Sequence, residues 1–370
     1  MTASVRFYQS TNAGAPQVNG AAGSLIAVLD ACLVTGYGSV NAASLVVSNS
    51  VATVTTATAH GLSAVGTTGP VVRVEGATPA ELNGDWRATI IDTTHLSFST
   101  SVSDQTATGT ITVKRAPAGW EKVYSGTNKA AYRSLDVTGT RLYLRVDDTV
   151  GVYADVSGYE SMSDIDTGTG PFNGGGSGRW YKSGTADATA RGWRVYADSR
   201  CFYFYANKGT ETAAAWFGDI VSNIPDAYGC GITATDQYHY DYQLGYLGSS
   251  DVYKNSQFAR SYTGTGAAAS FYRASNALVN HSSAGIGYSG MPYPSPVGNE
   301  VVAFPVLCVQ AGGIYRGDMP GLYGPAHNMR AVADGTLISG MQVNGSSRDF
   351  IVQRAHNDNC VLMDITGPWR

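Results

Sequence analysis

Paired carboxylates, a tyrosine cluster and a few single histidines are the reactive or binding groups of this chain. Carboxylates stand close together at Asp147-Asp148 and at Asp164 and Asp166, and two carboxyl groups flanking a glycosidic bond can serve as acid and as base or nucleophile. Pairs this close along a loop read as solvated turn residues. Tyr238-His239-Tyr240-Asp241-Tyr242, with Tyr246 and Tyr253, is the densest aromatic stretch. Ring faces beside hydroxyl, imidazole and carboxylate groups can hold a sugar. Tyr238, Tyr240 and Tyr242 also share one face at period two, the pattern of a strand whose tyrosines alternate between core and interface. Tyr238, His239, Tyr240, Tyr242 and Tyr246 are therefore the candidate interface or glycan contacts. Arg316-Gly317-Asp318, an adhesion-type tripeptide before Pro320, reads as turn chemistry. His60, His327 and His356 stand singly, without a second ligand at metal spacing, and read as structural.

Motifs that carry catalysis are missing from the sequence: there is no GxSxG elbow, no HExxH and no Cys–His pair with a local signature. The five cysteines, Cys32, Cys201, Cys230, Cys308 and Cys360, form no CxxC, so they read as buried free thiols rather than zinc or redox centres. The Gly-rich stretch from Ser161 to Gly178 lacks the GK[ST] of a phosphate loop. No catalytic residue, metal or cofactor is expected, and the chain reads as a non-enzyme. Charged residues make up only 14% of the chain and the formal net charge is −4, without clustered Lys and Arg. Sequence-independent nucleic-acid binding needs such clusters, so it is not expected. Neither a leader with basic and apolar regions nor an apolar run of about 20 residues is present. The expectation is a soluble chain made in a cytoplasm, with no membrane insertion.

The framework around these residues reads as mainly β. The exception is Ser24 to about Leu33, where Leu25, Val28, Leu29, Cys32 and Leu33 fall on one helical stripe. Ser24 is suited to cap the first turn, and Gly36 and Gly38 to end the helix. A helix of about ten residues is marginal alone, so its stripe must lie on a sheet. From Ser44 to about Lys114 six short alternating strands follow, a small β-sandwich with Trp86 as its inter-sheet core residue. The aromatic texture that resumes after Ala116 makes this segment, 44–115, an insertion. The main β-sandwich-type domain then comprises 1–43 and 116–370, with a subdomain break placed near 161–190. Gly192–Asp198 and Arg200–Tyr205 form the clearest hairpin, its second arm apolar on both faces and so a central strand. Ala215–Ile220 reads as an edge-forming stretch.

Within the insertion, Thr58-Ala59-His60-Gly61-Leu62, Val72–Ala77 and Leu82-Asn83-Gly84-Asp85-Trp86 occur in the order found in a small Ig-like module of tailed-phage virion proteins. Along the rest of the chain, Ala22–Val34, Gly158-Tyr159-Glu160-Ser161-Met162, Phe202-Tyr203-Phe204 followed by Phe217-Gly218-Asp219-Ile220, Met319-Pro320-Gly321-Leu322-Tyr323 and Ile365-Thr366-Gly367-Pro368-Trp369 also occur in order. With these signatures the chain resembles a group of uncharacterised structural proteins of tailed-bacteriophage particles. The resemblance implies a virion location, homo-oligomeric contacts and other virion proteins as partners, and brings no catalytic residues. The expected function is a structural part of the tail tip or baseplate. The alternatives are a tail protein that binds or degrades a host surface glycan, and a capsid or collar decoration protein.

Overall fold

Alternation along one hairpin decides how the chain is layered. In the structure, a computed structural model describing residues 5–173, 178–209, 212–234, 256–274, 292–329, 331–343, 345–354 and 360–370, strand Trp193–Ala197 pairs with Cys201–Asn207 from Trp193↔Ala206 to Ala197↔Phe202. The second arm is buried from Cys201 through Ala206. Phe202, Phe204 and Ala206 enter one core, while Cys201, Tyr203 and Tyr205 enter another. Thr212–Asp219 repeats the division: Ala215 and Phe217 face the first core, Ala214 and Trp216 the second. This strand is not an edge, as its sequence suggested. It lies between Cys201–Asn207 and Cys230–Thr233, because side chains apolar on both faces need cover on both.

These strands belong to an antiparallel sheet that runs, among the described residues, through twelve strands from Arg6–Gln9 to Leu337–Val343. Its far half folds back over the near half. Val306, Cys308, Met319, Leu322, Ile351 and Met363 thereby fill the second core opposite Tyr196, Tyr203 and Trp216. The Tyr203 hydroxyl donates to the Pro320 carbonyl at 2.8 Å and that of Tyr196 to Gln353 Oε1 at 3.1 Å, so the polar tips are satisfied across the gap. Trp369 enters the same core edge-on to Tyr203. Gly321 makes room for it: at φ 66° an added Cβ would lie 2.1 Å from the indole nitrogen. The first core is closed by a sequential five-stranded sheet, Trp120–Gly126, Lys129–Ser134, Tyr143–Asp147, Tyr153–Tyr159 and Arg179–Tyr181. The molecule is mainly β and sandwich-type, with one short helix near its start.

That helix spans Ser24–Leu29 and continues as π-helix over Asp30–Thr35. All five stripe residues are fully buried in the first core. Ser24 does not cap it. Gly23 occupies the cap position in the left-handed region, and the Ser24 hydroxyl donates to the Asn19 carbonyl instead. The free N–H groups of Leu25 and Ile26 donate to Asp148 Oδ2, at 2.8 and 3.3 Å. Asp148 is thus no solvated loop carboxylate. It is completely buried and paired with the equally buried Lys182, which also donates to the Ala21 carbonyl at 2.6 Å. At the other end Gly36 is required, since a Cβ there would meet the Arg115 carbonyl at 2.3 Å.

The segment expected to form a small module builds its own eight-stranded sheet, beginning at Tyr37–Ser48 and ending at Thr112–Arg115. Tyr37 lies opposite Arg115, so the chain enters and leaves side by side. A separate core of Leu45, Val54, Val72, Val74, Leu96 and Val113 fills it. Trp86 is not the centre of that core. It is half-buried at the rim, stacked on Phe98 at 4.7 Å with its N–H on the Leu82 carbonyl. Polar contacts hold this sheet to the main one. Arg6 pairs with Asp85 at 2.6 Å, Arg87 donates to the Val5 and Thr366 carbonyls, and Asp349 Oδ2 accepts from Thr67 N, Thr67 Oγ1 and Thr68 Oγ1.

Burial raises the Asp349 carboxyl, but the hydrogen bonds from Thr67 and Thr68 outweigh it, and the net shift is below the usual range. A depressed native pKa adds stability above the unfolded value of about 4, and that stability is lost as pH falls through the native value. Asp349→Asn is therefore expected to cost about 1.5–3 kcal/mol at neutral pH, the range for hydrogen bonds to a charged group. The variant should also show a shallower loss of stability between neutral and acid pH in urea unfolding. Equal acid slopes for variant and wild type would break the link.

Candidate functional site

Three loops meet around one arginine at an end of the large sheet. Strand Ile314–Pro325 carries Arg316, whose side chain turns inward and is only 2% exposed. Its Nε and Nη2 donate to Asp226 Oδ2 at 2.8 and 2.5 Å, and Nη1 donates to Gln310 Oε1 and the Arg260 carbonyl. The guanidinium lies 4.4 Å over the Phe258 ring, a geometry that adds cation–π attraction. Gln310 Oε1 also accepts from Tyr262 N at 2.9 Å. Arg260 braces the next layer, paired with Glu160 through both carboxylate oxygens and lying over Tyr228 at 4.6 Å.

The adhesion-type tripeptide is therefore not a turn offered to solvent. Arg316 is buried, Gly317 opens a bulge in the strand, and Asp318 exchanges backbone hydrogen bonds with Val221. Burial pushes the Asp318 carboxyl up, opposed by the Tyr315 hydroxyl that donates to it at 2.8 Å. Burial and this bond together push Tyr315 up to about 12, so it stays a neutral donor at pH 7. The loops fixed by Arg316 present Ile224 and Tyr262 to solvent, and its own strand presents Tyr315, exposed by 72%, 59% and 51%. An aliphatic and two aromatic side chains on braced segments can bury area at little ordering cost.

A second feature is an open polar cleft of about 190 Å³ where the two halves of the large sheet face each other. Its charged groups are already engaged with one another: Arg194 pairs with Asp334 at 2.7 Å and reaches Gln353 Oε1 at 3.1 Å. Gln9, Asn207 and Thr212 line the rest.

The residues singled out in the sequence are scattered. Tyr238, His239, Tyr240, Tyr242 and Tyr246 lie outside the described residues, as does His356. Asp166 is held by Lys129 at 2.8 Å and Arg145 at 2.6 Å, with the Lys129 bond foremost in keeping its carboxyl below the usual range. Asp164 accepts from the Asp166 backbone N–H. Asp147 is bound by Arg145. His60 and His327 are buried with both ring nitrogens bonded, to Asp92 O and Leu62 N, and to Pro292 O and Val302 N. All five cysteines are buried. Among the described residues no group of three His, Cys, Asp or Glu side chains is placed to hold a metal ion, and no helix is long and apolar enough to cross a membrane. The sequence reading missed Lys182, Arg115 and the bracing role of Arg316. Only Arg115 left a signal, since Ile111, Val113 and Arg115 share one face at period two.

Compared with known proteins, the chain matches no family model and no curated protein.

Proposed function

We propose that this chain is a structural component of a tailed-phage particle, placed at the tail tip or baseplate and acting through contacts with copies of itself and other virion proteins. The observation that carries the reading is the braced surface of Ile224, Tyr262 and Tyr315. Exposed aromatic and aliphatic side chains are what interface centres use, and bracing by the pair of buried Arg316 with half-buried Asp226 keeps those segments in one arrangement before a neighbour arrives. The ordered signatures from Ala22–Val34 to Trp369 support the particle context.

The combined variant Ile224→Asp, Tyr262→Ser, Tyr315→Ser removes apolar surface without touching a core. It is expected to melt like wild type yet fail to incorporate when particles are assembled with it, scored by its abundance in purified virions. Normal incorporation would remove this surface from the contact. Cryo-electron microscopy of the particle tests the place: density on the capsid or neck would replace the tail by a decoration role, and absence from the particle would end the reading. The polar cleft beside Arg194, Asp334 and Gln353 favours a glycan-binding tail protein as the second reading. Saturable binding of host-envelope oligosaccharide, lost in Gln353→Ala, would select it.

A further inference from the structure

Where the small sheet docks on the large one, two arginines line a cleft that has no carboxylate among its lining residues. Arg115 ends strand Thr112–Arg115 on the inward face it shares with Val113. Its side chain is 5% exposed, and its Nε and Nη2 are fully buried and donate to nothing. The ionisable groups that act on it are Tyr37, Tyr8 and Cys32. Burial pushes all three above their ordinary values, so none carries negative charge at neutral pH. The hydroxyl protons are also committed, that of Tyr8 to the Ala116 carbonyl at 2.7 Å and that of Tyr37 to Asn12 Oδ1 at 3.0 Å.

Arg87, on the same cleft, donates to the carbonyls of Gly69, Val5 and Thr366, all neutral acceptors. Burial, and then the charge of Arg6, lowers it to about 10 against the opposing charge of Asp364, so it is still protonated at pH 7. The nearby carboxylate of Asp85 is taken by Arg6 and by two bonds from Arg73. Two cations thus face one opening, and the buried one, Arg115, has no carboxylate acting on it; an uncompensated buried charge is among the most costly features a fold can carry. The cleft has a cavity volume of about 20 Å³, room for one or two waters or one monatomic ion. Asn12, Ser63 and Thr68 add polar groups to the rim.

We propose that this cleft is a binding site for a small monatomic anion of the halide class, held by the Arg115 guanidinium with Arg87 beside it. The anion supplies the missing countercharge at the joint between the two sheets, so it stabilises their docking. A ligand bound only by the folded chain raises the melting temperature in proportion to the logarithm of its concentration above Kd.

The test melts the full chain in sodium chloride, sodium bromide and sodium gluconate at equal ionic strength, gluconate being too large to enter. Wild type should melt higher in either halide than in gluconate. Arg115→Met should melt at least as high as wild type in gluconate, having lost an unpaired buried charge, and fall below it in chloride. Equal melting of wild type in all three salts, or an unchanged halide gain in Arg115→Met, would overturn the site. Should Arg115→Met fail to fold, anomalous scattering from wild-type crystals grown in bromide decides the matter. A bromide peak within hydrogen-bonding reach of the Arg115 guanidinium supports the proposal, and ordered water alone there defeats it.

Discussion

Lys182→Met is expected to destabilise the chain by about 3–5 kcal/mol, the cost of breaking a buried ion pair from one side. Neither Lys182 nor Asp148 exposes any side-chain surface. Burial pushes Asp148 up and Lys182 down, and the contact between them opposes both shifts. With Lys182 gone, the Asp148 carboxylate keeps only the N–H groups of Leu25 and Ile26, and the Ala21 carbonyl loses its donor. The damage then spreads to the helix start, because this carboxylate is what satisfies its first turn. Adding Asp148→Asn to Lys182→Met removes the stranded charge while leaving an acceptor for the helix. The double variant should recover at least about 1 kcal/mol in a double-mutant cycle measured by denaturant unfolding, as expected for groups in one network. A cost below about 1 kcal/mol for Lys182→Met would mean that the pair is not a buried charged pair.

Leu29→Asp is expected to prevent folding. Leu29 is fully buried with Leu25, Val28, Cys32 and Leu33 against the two sheets of the first core. A carboxylate there loses the packing of a large apolar side chain, about 2–5 kcal/mol, and adds the penalty of an unpaired buried charge. The sum is comparable with the whole stability of an ordinary domain. Ala27→Asp is the control, since Ala27 is exposed on the opposite side of the same helix. Its effect should stay within about 0.5 kcal/mol. Circular dichroism and solubility of the two proteins check the contrast, and native-like Leu29→Asp would show that the stripe is not core.

Elements with a local signal are legible along the chain. The helical stripe from Leu25 to Leu33, the hairpin around Asp198 and the doubly buried arm Cys201–Ala206 were legible because side chains repeat at fixed intervals along a helix or strand. The start of the small sheet was less legible. Its first strand begins at Tyr37, where Gly38, Ser39, Asn41, Ala42 and Ala43 dilute the alternation with small and polar residues. Local chemistry also misled: Ser24 has the right type to cap the helix, yet the cap is supplied by Asp148 from 123 residues away.

Which charges meet depends on the folded arrangement and on no local pattern. An Asp–Lys pair sealed beneath the helix, an arginine of an adhesion-type tripeptide turned inward to Asp226, and Arg115 left without a countercharge have no period and no fixed spacing. Their energies depend on how much water is excluded and on what stands opposite, and both are set by the order in which strands from distant parts of the chain are laid side by side.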